Sequence, residues 1–361
     1  MSQTPASQTQ YPCANCGANV EFAPGTTVLK CPYCGAETPL APTGGQIREH
    51  SYAEFADLPR KPIATLAPHV FTCQGCGAVT QSDKISDRCQ FCGAPLVAEV
   101  GSGEQVAPEG VMPFGLDRAG LREALRKWAS SRWFAPNGLK KVTEAESSHS
   151  TYLPHWTYDA STVSRYVGQR GEHYYETETY TENGETKTRQ VRRTRWYPAS
   201  GMVARDFDDV LVVGSTRVTQ KHLDALEPWP LAEAQPYRPE YLAGHETLRY
   251  DVEPESGLVT AKSRMATVIE RDCSQDIGGD EQRVYSVNTD YRDLAFKLML
   301  LPVWIACYLH AGRTYNILVN GRTGEVAGER PYSAPKIVAA VVAALLVIAA
   351  IVILIALNRT N

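Results

Sequence analysis

The sequence predicts a multi-domain chain: two small β modules, an α+β middle domain and one C-terminal transmembrane helix. Three observations predict it. The pattern C-x-x-C-G occurs four times in the first hundred residues, as CANCG (13–17), CPYCG (31–35), CQGCG (73–77) and CQFCG (89–93). An unbroken apolar run, IVAAVVAALLVIAAIVILIAL, fills 337–357. Between them lie stretches with amphipathic-helix and β-rich patterning. The boundaries that follow are a disordered tail at 1–10, modules at 11–40 and 69–98 joined by a linker at 41–68, a linker at 99–112, an α+β domain with β repeats at 113–332, and the membrane helix at 337–357.

Eight of the ten cysteines fall in the four pairs, while Cys273 and Cys307 stand alone. Cys13, Cys16, Cys31 and Cys34 form one set with fourteen residues between the pairs; Cys73, Cys76, Cys89 and Cys92 form the second with twelve. A C-x-x-C turn aims two sulfurs at one point, and the glycine after it takes a positive φ that frees backbone N–H groups for the thiolates. Two such turns at the ends of a short hairpin complete a tetrahedron around an ion. NVEFAPGTTVLK, turning at Pro24-Gly25, is the expected hairpin of the first unit, and AVTQSDKISDR that of the second. The units also align as a repeat, YPCANCGANV with FTCQGCGAVT and LKCPYCGAETPL with DRCQFCGAPLV. Each is therefore read as a zinc ribbon, with iron the runner-up metal. All-cysteine ligation leaves no position open for water, so the two zinc ions are structural. Units of this size bury little core, and metal binding, on the order of 10 kcal/mol per site, is what folds them.

Residues 1–100 hold six Lys/Arg against eight Asp/Glu, and the chain carries a net charge of −4. Phosphate binding needs clustered positive charge, so protein contact is favoured and nucleic-acid binding is the alternative. The start, MSQTPASQTQYP, has no apolar core and is not a secretory signal. Reduced thiols then place the ribbons in the cytoplasm.

The run at 337–357 contains five Ile, five Val, four Leu and seven Ala. At 1.5 Å per residue it spans about 32 Å, enough for the hydrocarbon core of a bilayer. Its fourteen Ile, Leu and Val favour insertion by about 5–6 kcal/mol. The expectation is a single-pass, tail-anchored protein of the cell membrane. A second apolar run, LMLLPVWIACYL at 298–309, is too short to span and reads as a buried strand.

In the middle of the chain, PFGLDRAGLREALRKWASSRWFAP predicts a helix capped by Asp117, with Leu121, Leu125, Trp128 and Trp133 along one face and Pro136 and Gly138 at its end. Arg122, Arg126, Lys127 and Arg132 decorate it. TYLPHWTYDAST (151–162) and LLPVWIACYLHA (300–311) share Leu-Pro-x-Trp followed by β-rich residues, so two copies of one β unit are expected to build a common sheet with Trp156 and Trp304 in its core. HYYETETYTENGETKTRQVRRTRWY is a hairpin turning at Asn183-Gly184. Its register sets Glu178 against Arg189, Glu172 against Arg195, Tyr174 against Arg193 and Tyr180 against Lys187. So few apolar residues predict a solvent-exposed arm or a partner surface at 172–197. A second helix starts at Pro254 and stops at Gly278-Gly279. Cys273, near its end, is read as a small buried or idle thiol.

No P-loop, H-E-x-x-H or G-x-S-x-G occurs, and the eight histidines lack metal spacing. Asp206, Asp208 and Asp209 in ARDFDDVLVV read as an Asp-rich turn before a strand. No enzymatic activity and no small-molecule substrate are expected.

The chain resembles a bacterial family that combines N-terminal zinc ribbons with RWFAP (132–136), YLAG (241–244), LPVW (301–304) and NGRTGEV (320–326) ahead of a C-terminal hydrophobic segment. Its members are labelled transcription-factor-IIB-type zinc-ribbon proteins or relatives of the primosomal replication-restart helicase, whose motor motifs are missing here. The resemblance implies a membrane adaptor with partners of the band-7 (SPFH) and phage-shock-protein-A type.

Overall fold

A computed structural model of the chain describes residues 8–9, 11–41, 44–56, 69–73, 78–98, 106–132, 148–182, 185–310, 313–328 and 333–359. In chain order the strands and helices are β1 (Gln8–Thr9), β2 (Glu21–Phe22), β3 (Val28–Lys30), β4 (Glu37–Pro39), β5 (His50–Ser51), α1 (Tyr52–Ala56), β6 (His69–Thr72), β7 (Val79–Ser82), β8 (Ser86–Arg88), β9 (Pro95–Ala98), β10 (Gly110–Val111) and α2 (Arg118–Ser130). There follow β11 (Ser148–Glu182), β12 (Glu185–Val213), α3 (Gln220–Asp224), β13 (Gln235–Pro236), β14 (Glu246–Thr247), α4 (Pro254–Ile277), β15 (Glu281–His310), β16 (Arg313–Asn320), β17 (Val326–Gly328) and α5 (Ala334–Arg359).

The frame is the antiparallel pairing of β11 with β15, on which β12 and β16 close as hairpin partners. The two Leu-Pro-x-Trp copies meet head to tail: Leu153 lies opposite Leu301, Pro154 opposite Leu300 and Tyr152 opposite Pro302. The surroundings repeat about this point. β10 adds in parallel to β15 at Met299 and Leu300, while β14 adds in parallel to β11 at Thr151 and Tyr152. Gly214 N–H donates to the Pro154 carbonyl and Gly321 N–H to the Pro302 carbonyl, each at 2.8 Å. Trp156 Nε1 donates to Val252 O at 2.8 Å, and Trp304 Nε1 to Leu116 O at 3.1 Å. The body is thus a duplication, β10-α2-β11-β12 and β14-α4-β15-β16, related by a pseudo-twofold axis at Leu153–Leu301. Each helix covers the tryptophan of the other copy. Neither half can bury its own core alone.

Both faces of this centre are covered, which is why 298–306 is apolar without alternation. On one face Trp156, Tyr158, Phe296 and Leu298 pack under α4 through Ala261, Met265, Ile269 and Cys273. Leu153, Leu301, Val303 and Leu318 pack on the opposite face with Met112, Leu226 and Trp229. Around α2, Leu121, Leu125 and Trp128 join Trp304, Ile317 and Val319. Asp117 caps α2, its carboxylate accepting from Ala119 N–H and Gly120 N–H at 3.0 and 2.8 Å. That helix ends at Ser130, and Trp133, Pro136 and Gly138 lie outside the described residues. α4 starts at Pro254 and stops at Gly278, whose φ is +64°.

The expected register of the arm holds at all four pairs, and its Asn183-Gly184 turn lies outside the described residues. β15 begins at Glu281, opposite Gly171. Beyond it, 172–182 and 185–195 run on as two strands for about 36 Å. One face carries ion pairs of Lys187 with Glu182 and of Arg189 and Arg193 with Glu178.

Four expectations need correction. Residues 8–9, at the end of the expected tail, pair with β9. The expected linker at 41–68 contains β5 and α1, whose Phe55 ring lies 4.6 Å from that of Phe296. The expected linker at 99–112 contains β10, and Val111 and Met112 are fully buried. AVTQSDKISDR does not fold on itself: β7 pairs with β6, while β8 pairs with β9 and β14 and so enters the main sheet. The modules keep small sheets of their own, β2-β3-β4 and β6-β7. Yet Val20, Phe22, Leu29 and Cys31 share one core with Phe114, Leu121 and Tyr241, because units so small gain more apolar burial by fusing with a neighbour.

The strand pairing is tightest at Gly168, where an added Cβ would stand 2.2 Å from the Arg283 carbonyl oxygen. Gly168→Ala is expected to cost about 2–3 kcal/mol in urea unfolding of the detergent-solubilised chain. Gly44→Ala, where a Cβ meets nothing within 4 Å, stays within about 0.5 kcal/mol.

Candidate metal centres

Each cysteine pair reads C-x-x-C-G-A, and the described pairs fold alike. The first cysteine's N–H donates to the alanine carbonyl, for Cys13 to Ala18 at 2.6 Å, Cys31 to Ala36 at 2.9 Å, and Cys73 to Ala78 and Cys89 to Ala94 at 2.8 Å. Gly17, Gly35 and Gly93 adopt φ of +74°, +72° and +74°, a turn that costs a residue with a Cβ more than glycine.

The Sγ atoms of Cys13, Cys16, Cys31 and Cys34 all lie within 4.8 Å of one another, as do those of Cys73, Cys89 and Cys92. Cys76 lies outside the described residues. Cys13–Cys34 and Cys16–Cys31 are 3.5 Å apart, and Cys73–Cys92 3.4 Å. A tetrahedron with metal–sulfur bonds near 2.3 Å has edges of about 3.8 Å, whereas a disulfide needs about 2.05 Å. The spacing fits thiolates around an ion. Cys13, Cys31, Cys73 and Cys89 are buried, and Cys16, Cys34 and Cys92 exposed, so each cluster is half built into a core. The Ala36 N–H and then the Asn15 side chain hold the Cys34 thiol down at about 6. At Cys16 the Ala18 N–H pulls the other way, but its thiol neighbours Cys34 and Cys31 push it up to about 12. Four thiolates at this distance repel, and a divalent cation removes that repulsion.

Both clusters rest on one segment, the YLAG stretch. The ring of Tyr241 meets Phe22 of the first module edge-on at 5.2 Å. Phe22 N–H donates to Ala243 O at 2.9 Å. From the second module, Arg88 donates to Gly244 O at 2.7 Å and pairs with Glu21 of the first at 2.9 Å. Gly244 has φ +84°, and a Cβ there would stand 2.7 Å from Glu21. Between the modules runs a groove of about 600 Å³ whose walls include Gly17 and Tyr33 on one side and Cys92 and Pro95 on the other, with Glu21 and Arg88 between. Tyr33 and Phe91, each directly before the last cysteine of its module, are 80% and 73% exposed. The cysteine spacing was legible in the sequence, but this shared seat was not; two aromatic residues at equivalent knuckle positions were the available signal.

A second group forms at a β-bulge. Asp159, Asp208 and Asp209 offer oxygens within 4.8 Å of one another, whereas Asp206 sits apart, accepting from Ser161 Oγ at 2.8 Å. The buried Lys297 already supplies the cation, 2.7 Å from Asp209 and 2.8 Å from Glu49. Burial pushes the Asp159 carboxyl up to about 6, against the pull of the Asp209 N–H and Lys297. Cys273 is fully buried on the inner face of α4.

No family model and no solved structure matches the chain. It is similar to the uncharacterized protein YdjG of Bacillus subtilis (strain 168), 27% identical over 335 residues that cover 91% of this chain and 92% of that protein. The likeness therefore runs nearly the length of both chains.

Two outcomes are expected. The purified chain binds two equivalents of a thiophilic divalent ion by elemental analysis, and Cys31→Ser lowers this to one. Separately, the raised Asp159 pKa means that the folded state holds the extra proton. The stability this contributes is present below about pH 4 and lost as pH rises through about 6. Asp159→Asn therefore melts higher than the parent at about pH 7.5 and equally at about pH 4.

Proposed function

We propose that this chain is a membrane-anchored adaptor. α5 crosses the bilayer once, each cysteine cluster holds one structural zinc ion, and the body recruits protein partners from the cytoplasmic side. The observation that carries the reading is the placement of both clusters on one seat, with Tyr33 and Phe91 protruding beside a shared groove. All-thiolate ligation suits a structural ion, and zinc is the ion such sets commonly take. Exposed aromatic side chains are strong anchors for a protein partner. Arg88, the cation of the groove, is spent on Glu21, which favours protein over nucleic acid. Open thiol clusters belong in a reducing compartment.

α5 is the one described helix long and apolar enough to cross a membrane. The window Pro335–Ile353 is left uncovered by the rest of the fold. Val341, Leu345, Ile348 and Val352 are each at least 52% exposed, a surface that needs lipid. Partners of the band-7 or phage-shock-protein-A type, implied by the resemblance, are membrane-associated and suit such a location.

Affinity purification in mild detergent tests the reading. The intact chain is expected to retain a membrane-associated protein. Tyr33→Ala with Phe91→Ala keeps two zinc ions and loses most of that protein. An intact chain that captures none, or that is soluble without detergent, overturns the proposal.

A further inference from the structure

We infer that the basic face of α2 lies on anionic lipid headgroups at the point where α5 enters the membrane. The inference rests on the reading of α5 as a bilayer span.

α2 presents Arg122, Arg126 and Lys127 to solvent against one acidic residue, Glu123, while the guanidinium of Arg118 lies over the Trp304 ring, 6.0 Å from its centroid. Among the described ion pairs none uses these three cations. The opposite face of α2 is committed to Trp304, Ile317 and Val319, with Val326 packed against the same cluster. α2 therefore rides on the β16–β17 hairpin, and a Cβ on Gly324, in the turn of that hairpin, would stand 3.8 Å from the Ala124 Cβ. β17 ends at Gly328 and α5 begins at Ala334. Six peptide steps of at most about 3.6 Å hold α2 within on the order of 20 Å of the span, comparable with the length of α2 itself.

The internal duplication supplies a control. α4, the counterpart of α2 in the other copy, packs on β11, β12 and β15. It carries Lys262, Arg264 and Arg271 against Glu255, Glu270, Asp272 and Asp276. Of two helices in equivalent places, the one beside the anchor is strongly basic and the other is not. Juxtamembrane cations are attracted by anionic lipid within about a Debye length.

The test uses the intact chain in nanodiscs, either of phosphatidylcholine alone or with about 30 mol % phosphatidylglycerol. Amine labelling at Lys127, with Lys187 on the arm as reference, is followed by mass spectrometry. Lys127 is expected to label about five-fold more slowly in the anionic discs, the factor that one favourable cation–lipid contact gives. Lys187 is unchanged, and about 0.5 M salt abolishes the difference. Arg122→Glu with Arg126→Glu abolishes it without loss of disc insertion. Equal labelling of Lys127 in both discs overturns this inference alone. A chain that does not enter the discs overturns the span reading and this inference with it.

Discussion

The architecture depends on the pairing of β11 with β15 across Leu153 and Leu301. Because this contact lies on the pseudo-twofold axis, it brings two copies of one unit together and exchanges their helices. α2 then covers the tryptophan of the second copy, and α4 that of the first. Two prolines sit in central strands, and each carbonyl accepts an N–H from the glycine that directly follows the returning strand. Everything else attaches to this frame. β14 carries β8, and with it half of the second module; Tyr241 and Ala243 hold the first; β17 leads to α5.

The parts of this plan that were legible in the sequence are those whose signal is local. Cysteine spacing marks ligands because a knuckle is six residues long. Asp117 and Pro254 mark helix starts by the chemistry of a first turn. Asn-Gly and alternating charge set the register of the arm. The Leu-Pro-x-Trp echo identified the shared sheet, though not its symmetry. β10 and β14 are two residues each, too short for any periodic pattern, and they are what relates the two copies. The modules look separate in sequence because their few inward residues, Val20, Phe22 and Leu29, do not say what they pack against. The turn between β7 and β8 looks complete in sequence and predicts that they pair, whereas tertiary pairing takes each strand elsewhere. Tyr33 and Phe91 left only a faint trace, and the seat at Gly244 left none, since its partners lie far away in the chain.

The cysteine clusters matter mechanically as well as chemically. An ion at Cys13, Cys16, Cys31 and Cys34 would brace the knuckle that carries Tyr33, and one at the second cluster would brace Phe91. The Glu21–Arg88 pair and the Gly244 carbonyl then hold the two knuckles at a fixed separation. Exposed aromatic side chains are costly when floppy and useful when rigid, because a partner loses less entropy in meeting them. The buried Lys297 plays a different part: its ammonium group joins Asp209 at the bulge to Glu49 of another segment, and so supplies a cation beside the carboxylates that resemble an ion site.

The exchange of helices between copies also bears on how the polypeptide is made. A nascent chain that has emerged only through β12 holds α2 without the tryptophan it covers, and β11 without its central neighbour. Closure waits for β15 and β16, and Gly328 follows β16 by only eight residues. By then α5 is the next segment to leave the ribosome. Completion of the body and emergence of the apolar helix α5 are thus nearly simultaneous, and the sheet stays unfinished for most of synthesis.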